Sequence, residues 1–149
     1  MNNFLYAMIE SFNQMKKRVY KILNISQYTE KESNELFLAV SSCLHSILDY
    51  AERIELNEKD KSLISAFRYA NNSLKHCIEV KTIVAPRGGL GFPIHFPLAI
   101  PERKIAWSIV DNGDSKYENQ RTRYKEFLSG KDVIETCKYV IDILEKYTL

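Results

Sequence analysis

The sequence is sparing with residues that punctuate or cross-link a chain: of 149 residues only five are glycine, four proline, three cysteine and one tryptophan. Three cysteines (Cys43, Cys77 and Cys137) cannot all pair within one chain and stand far apart. This argues against a secreted disulfide scaffold and for a reducing, cytoplasmic setting. Net charge is nearly absent as well, with 21 Lys+Arg against 19 Asp+Glu for a total of +2. At 45% hydrophobic and 27% charged residues, that balance excludes a disordered tail and a highly basic nucleic-acid wrapper. Long apolar runs are missing too. Residues 1–9 are apolar but lack a basic leader and meet Glu10 at once, and the uncharged run 88–101 contains Pro93, Pro97 and Pro101. Neither has the form of a signal peptide or a membrane span, so no membrane association is expected. The length suits one domain, residues 1–149, with one core.

The scarce residues are unevenly placed. All four prolines and Gly88, Gly89 and Gly91 fall within residues 86–101, and on either side of that stretch apolar residues recur at the helical spacing of three and four. Leu5, Met8, Ile9, Phe12, Met15, Val19, Ile22 and Leu23 predict a first helix over 3–24. Thr29 followed by Glu32 has the form of a capping box, in which the hydroxyl accepts from the third amide while the carboxylate reaches back. It opens a second helix that carries Leu36, Phe37, Val40, Leu44, Ile47, Leu48, Ala51 and Ile54 to about Leu56. Asn57 or Asp60 would cap a third, with Leu63, Ile64, Phe67, Ala70, Leu74 and Ile78 turned inward and an end near Lys81.

From Thr82 the text changes to β-branched residues bounded by turn chemistry. Residues 82–85 and 105–110 read as two short strands or an extended flap, inside an insertion of about 82–116. Helical spacing resumes over 117–128 and 131–147, with Ser129 and Gly130 between. The fold class that follows is all-α: a four- to five-helix bundle with a Gly/Pro-rich insertion forming a short β-hairpin or flap. Phe92, Phe96 and Trp107 of that flap would cover the bundle or a second subunit.

The near-zero total charge hides segregation: residues 1–25 carry +3, 26–60 carry −5, 61–87 carry +4, and the remainder is neutral. The acidic second helix therefore either pairs with its neighbours or presents solvated charges. On the third helix, taking the core direction from Leu63, Phe67, Ala70 and Leu74, the residues Arg68, Asn72, Lys75, His76 and Glu79 point away from the core. Arg68, Asn72 and His76 are successive i, i+4 neighbours and would cover about 12 Å of helix axis. Such a stripe suits a phosphodiester, since histidine exchanges a proton near neutrality, Arg and Lys stabilise phosphate charge, and Asn orients. The same stripe is also an ordinary solvated helix face.

Ala70-Asn71-Asn72 followed by a short spacer and His76, on the third long helix of a bundle, resembles the HEPN superfamily (higher eukaryotes and prokaryotes nucleotide-binding domain). In that family the motif is an arginine, a polar residue that is often Asn, and a histidine after a spacer. Members that bear it are metal-independent ribonucleases acting as homodimers, with two motif helices meeting at a shared cleft. The resemblance implies His76 as general acid or base, Asn72 as its orienting partner, and Arg68 or Lys75 as phosphate-holding groups, with no cofactor and no metal. It also implies an RNA partner and a setting in phage defence or a toxin–antitoxin system. The chain departs from the pattern at one position: Asn71 stands where the motif arginine belongs, and an asparagine cannot neutralise phosphate charge as a guanidinium does. The alternative is a non-catalytic helical bundle that serves as a protein-interaction or regulatory module. Cys43-x-His45 and His76-Cys77 supply zinc-type ligands, but neighbouring helical side chains diverge, so no metal site is expected.

Overall fold

The structure is a computed structural model and describes residues 2–73, 78–87, 98–110 and 115–147. Among them are five α-helices, α1 (Asn3–Leu23), α2 (Glu30–Ala51), α3 (Glu58–Asn72), α4 (Glu118–Phe127) and α5 (Val133–Glu145). A two-stranded antiparallel hairpin, β1 (Ile78–Arg87) and β2 (Leu98–Trp107), lies between α3 and α4, and a 3-10 turn (Ser115–Tyr117) leads into α4. The architecture is an all-α bundle carrying a β-hairpin. No helix among the described residues is long and apolar enough to cross a membrane.

The starts of α1, α2, α3 and α5 follow the sequence chemistry closely. Asn2, Thr29, Asn57 and Asp132 each cap a helix by accepting a backbone N–H two or three residues on, and Thr29 with Glu32 forms the full reciprocal capping box. Because the N–H of Thr29 donates to the Glu32 carboxylate, that carboxyl titrates below its ordinary range.

α1 and α2 pack side by side as an antiparallel pair. The Arg53 guanidinium, just past the end of α2, stacks 3.7 Å from the ring centroid of Phe4 at the start of α1, while Arg18 bonds Glu35 at 2.7 Å further along the pair. The core is filled by Met8, Phe12, Met15, Val19 and Ile22 of α1, Leu36, Val40, Leu44 and Ile47 of α2, Leu63, Ile64 and Phe67 of α3, and Val133, Val140 and Leu144 of α5. These are the apolar stripes of the sequence. The acidic segment is partly neutralised by its neighbours, with Arg18 and Lys21 on Glu35 and Arg68 on Glu52.

Three boundaries differ from expectation. α2 ends at Ala51 rather than near Leu56, so Ile54 and Leu56 lie in the connection to α3. α3 ends at Asn72, with Ser73 at its C-cap, rather than near Lys81. The hairpin begins at Ile78, before the expected insertion, and its strands run to ten residues each. The cause is an ambiguity of period: Ile78, Val80, Thr82 and Val84 alternate with a period of two, and ladder pairing of 78–87 with 98–107 takes that option over the helical one. Pro86 pairs with Ala99 and Pro101 with Val84 in the register. Both prolines thus fall in the same alternate set of cross-strand pairs, where a two-stranded ribbon can leave the missing N–H on its outer edge.

Trp107 ends the hairpin inside the bundle. It is fully buried, meets Phe67 edge to face at 6.3 Å, and exchanges backbone hydrogen bonds with the α4–α5 connection: its N–H donates to Lys131 O at 3.0 Å and its carbonyl accepts from Gly130 N at 2.8 Å. Gly130 adopts φ +76°, the left-handed conformation that favours glycine and lets this turn reverse. Of the two expected roles for Trp107, it takes the one within its own bundle. Phe92, His95 and Phe96 lie outside the described residues.

Candidate functional site at the end of α3

α3 is buried over a wider arc than a single stripe. Its buried residues include Ala66 and Tyr69 as well as Leu63, Phe67 and Ala70, because α4 packs on that side and sets Tyr124 at 5.1 Å from Tyr69. Arg68 and Asn72 keep the outward, i, i+4 relation expected of them, and Asn72 is exposed. Asn71 is half-buried, with its Oδ1 shut away from solvent and without a hydrogen-bond partner among the described residues. The amide at the motif-arginine position is therefore directed into the protein. The helical face that was to carry the stripe stops here: Glu79 belongs to β1. Lys75, His76, Leu74 and Cys77 lie outside the described residues.

Arg68 is occupied. Its Nη1 donates to Glu52 Oε1 at 3.2 Å, joining α3 to the end of α2, and the two side chains are 38% and 55% exposed. An open cavity of about 560 Å³ lies beside this pair at the α2–α3 corner, with Arg53, Lys61 and Ser65 also on its walls. Each cation there has a carboxylate: Arg53 lies 3.8 Å from Asp49 and Lys61 lies 3.1 Å from Glu58. Chemically the corner is a set of compensated surface charges. A phosphate entering it would have to displace Glu52 from Arg68, and an exposed pair of this kind opposes that by only about 0–1 kcal/mol.

Of the residues with zinc-type spacing, Cys43 and His45 separate as helical geometry requires, and His76 and Cys77 lie outside the described residues. Cys43 is fully buried, whereas His45 is exposed and places Nδ1 2.9 Å from Ser41 O. Cys43 contacts Cys137 across the α2–α5 interface. Hydrogen bonding to Cys43 and then burial push the Cys137 thiol well above its usual range, so it remains neutral at physiological pH.

A second polar cluster lies where no sequence motif points. Asp60, 9% exposed, accepts a hydrogen bond from the Tyr147 phenol; that phenol oxygen accepts from Asn57 N–H at 3.4 Å, and Tyr50 OH donates to Tyr147 O at 3.1 Å. Asp60 as acceptor, followed by burial, raises the Tyr147 hydroxyl above its ordinary pKa. A signal for it is present in the spacing, since residues 60, 63, 64 and 67 share one face of the helix and put a carboxylate in phase with Leu63, Ile64 and Phe67.

Comparison with known proteins gives no matching family model, no matching curated protein and no matching solved structure. The specific part of the HEPN resemblance accordingly remains the motif segment within residues 66–77, of which 74–77 lie outside the described residues.

Proposed function

We infer that this chain is a HEPN-like helical bundle that acts by binding, as a non-catalytic interaction or regulatory module. The observation that carries this reading is the occupation of Arg68 by Glu52. Asn71 stands where the motif arginine belongs, so Arg68 is the remaining guanidinium of the motif helix, and its Nη1 donates to a carboxylate of the same chain. Stabilising a developing phosphate charge needs a preorganised cation aimed at the reacting oxygens, and a guanidinium held by a carboxylate must first be released. The inward amide of Asn71 supports the same conclusion.

One observation favours a second reading, in which the domain binds or cleaves RNA as a homodimer. The Arg68–Glu52 pair is surface-exposed and cheap to open, and Asn72 beside it faces solvent. In that reading His76 transfers the proton, Asn72 orients it, and Arg68 with Lys75 holds the phosphate of an attacked 2′-hydroxyl linkage.

Incubating the purified protein with a mixed RNA pool separates the two. The binding-module reading expects no cleavage above background from wild type, His76→Ala or Arg68→Ala. Metal-independent cleavage that disappears in His76→Ala overturns it in favour of the ribonuclease reading.

A further inference from the structure

At the opposite end of α3 from Asn72, the start of that helix and the end of α5 enclose a cleft of about 420 Å³. Its floor is an ordered network: Asp60 buried and bonded by the Tyr147 phenol, with Asn57 N–H on the same phenol oxygen. The charged groups above that floor are both cationic. Lys59 and Lys146 line the cleft from its two sides, and neither side chain has an ion-pair or hydrogen-bond partner among the described residues. The Tyr139 hydroxyl, on a 54% exposed side chain, is likewise without a partner among the described residues, and Asn57 has used only its Oδ1, leaving its amide N–H groups to donate. The contrast with the α2–α3 corner is direct, since every cation lining that cavity has a carboxylate.

The sign of the ligand follows from this count. Two ammonium groups face one carboxylate, and that carboxylate is turned into the floor and capped by a phenol donor. A cation entering the cleft would meet both lysines. An anion would meet two ammonium groups with a phenol and an amide able to donate, and a dianion gains from both charges at once. The volume admits a small group and excludes a folded partner. We propose that the cleft between Lys59 and Lys146 is a binding site for a phosphate-type dianion, such as a phosphate monoester, with Tyr139 and Asn57 as supporting donors. The site is separate from the motif end: the helical rise puts Lys59 about 20 Å from Asn72. It therefore stands or falls apart from the proposed function.

The test is titration of the intact chain with inorganic phosphate, followed by amide chemical shifts or by calorimetry at constant ionic strength. Saturable binding is expected, with shifts at Asn57, Lys59 and Lys146, a loss of several-fold in affinity for Lys59→Ala or Lys146→Ala, and at least tenfold for the double variant. Lys61→Ala, which removes another exposed lysine already paired with Glu58, should leave affinity unchanged. Phosphoserine and adenosine monophosphate, used as competing probes, identify the source: competition by both assigns the site to the phosphate group itself, and competition by one alone assigns it to that class of monoester. No saturable binding, or binding unchanged in the Lys59→Ala/Lys146→Ala double variant with its fold intact by circular dichroism, overturns the proposal.

Discussion

The indole N–H of Trp107 donates to the hydroxyl of Thr136 at 2.7 Å, fastening the last residue of β2 to the first turn of α5. The same hydroxyl donates on to the carbonyl of Asp132, the N-cap of α5, so one side chain ties the hairpin to the start of the closing helix. With its ring against Phe67 and its backbone paired to Gly130 and Lys131, Trp107 is where the hairpin, α3 and the α4–α5 turn meet.

Trp107→Ala should therefore be strongly destabilising. Removing a fully buried indole leaves a large cavity and costs about 3–5 kcal/mol. Trp107→Phe keeps most of the packing and loses the hydrogen bond, and should cost less. Urea denaturation followed by far-ultraviolet circular dichroism measures both. A Trp107→Ala protein as stable as wild type would show that the hairpin is not anchored in the core. Since Trp107 is the only tryptophan, native fluorescence should also be blue-shifted and move to the red in a single transition with unfolding.

The capping box at Thr29 gives a smaller and more local effect. Thr29→Ala removes the acceptor for Glu32 N–H and should cost about 1 kcal/mol, seen as a lower thermal midpoint. The pH dependence has a definite sign. Glu32 titrates below its unfolded value because the Thr29 N–H bonds its carboxylate, so its stabilisation is complete above the unfolded pKa and is lost as pH falls through the folded one. Glu32→Gln should flatten the acid side of the stability profile relative to wild type. An unchanged acid limb would mean that the box contributes nothing to folding.

The bundle was legible where a helix buries an apolar stripe or begins at a capping residue: Met8, Phe12, Met15, Val19 and Ile22 are core positions, and Thr29 and Asn57 are N-caps. The end of α3 was not. Leu74 and Ile78 continue the helical spacing of the preceding residues, but a β-branched residue at 78 serves a strand equally well, and the choice depends on a partner strand some twenty residues away. The candidate site suffered twice from this. Its stripe assumed a helix through Glu79, and the engagement of Arg68 required knowing that Glu52, sixteen residues earlier, folds back alongside it. Net charge by segment showed that such pairing was available, while only the turn of the chain at the α2–α3 corner selects Glu52.

Arg68 and Glu52 form a pair whose energy can be measured directly. A double-mutant cycle with Arg68→Ala and Glu52→Ala should give a coupling of about 0–1 kcal/mol, as expected for side chains 38% and 55% exposed. Salt should reduce it. A coupling well above this range would mean that the pair holds α3 to the end of α2 and is not available for exchange with a phosphate.

Cys43 and Cys137 should behave as core residues. Both are fully buried, and the Cys137 thiol is held neutral by its hydrogen bond with Cys43 and by burial. In native buffer a thiol reagent followed by peptide mapping should leave residues 43 and 137 unmodified, and both should label at once in denaturant. Rapid native labelling of either would place it at an accessible surface and contradict the packing of α2 on α5.

The Asp60–Tyr147 bond makes the opposite prediction in pH to the capping box. Tyr147→Phe leaves the buried Asp60 carboxylate without its phenol donor and should lower the urea midpoint at neutral pH with an unchanged slope. The Tyr147 hydroxyl is raised above its unfolded value by Asp60, first by the hydrogen bond and then by burial. Its contribution is therefore fully present below the unfolded pKa of about 10 and is lost as pH rises through the folded value. Wild type and Tyr147→Phe should accordingly differ at pH 7 and converge in stability at strongly alkaline pH. Asp60→Asn replaces the charge-assisted hydrogen bond to the phenol with a weaker neutral one and removes the smaller Coulombic contribution, so Tyr147 in that variant should titrate closer to its ordinary value by ultraviolet difference absorbance. If the wild-type and Phe variants keep a constant difference across the alkaline range, the bond between Asp60 and Tyr147 is not what joins the end of α5 to the start of α3.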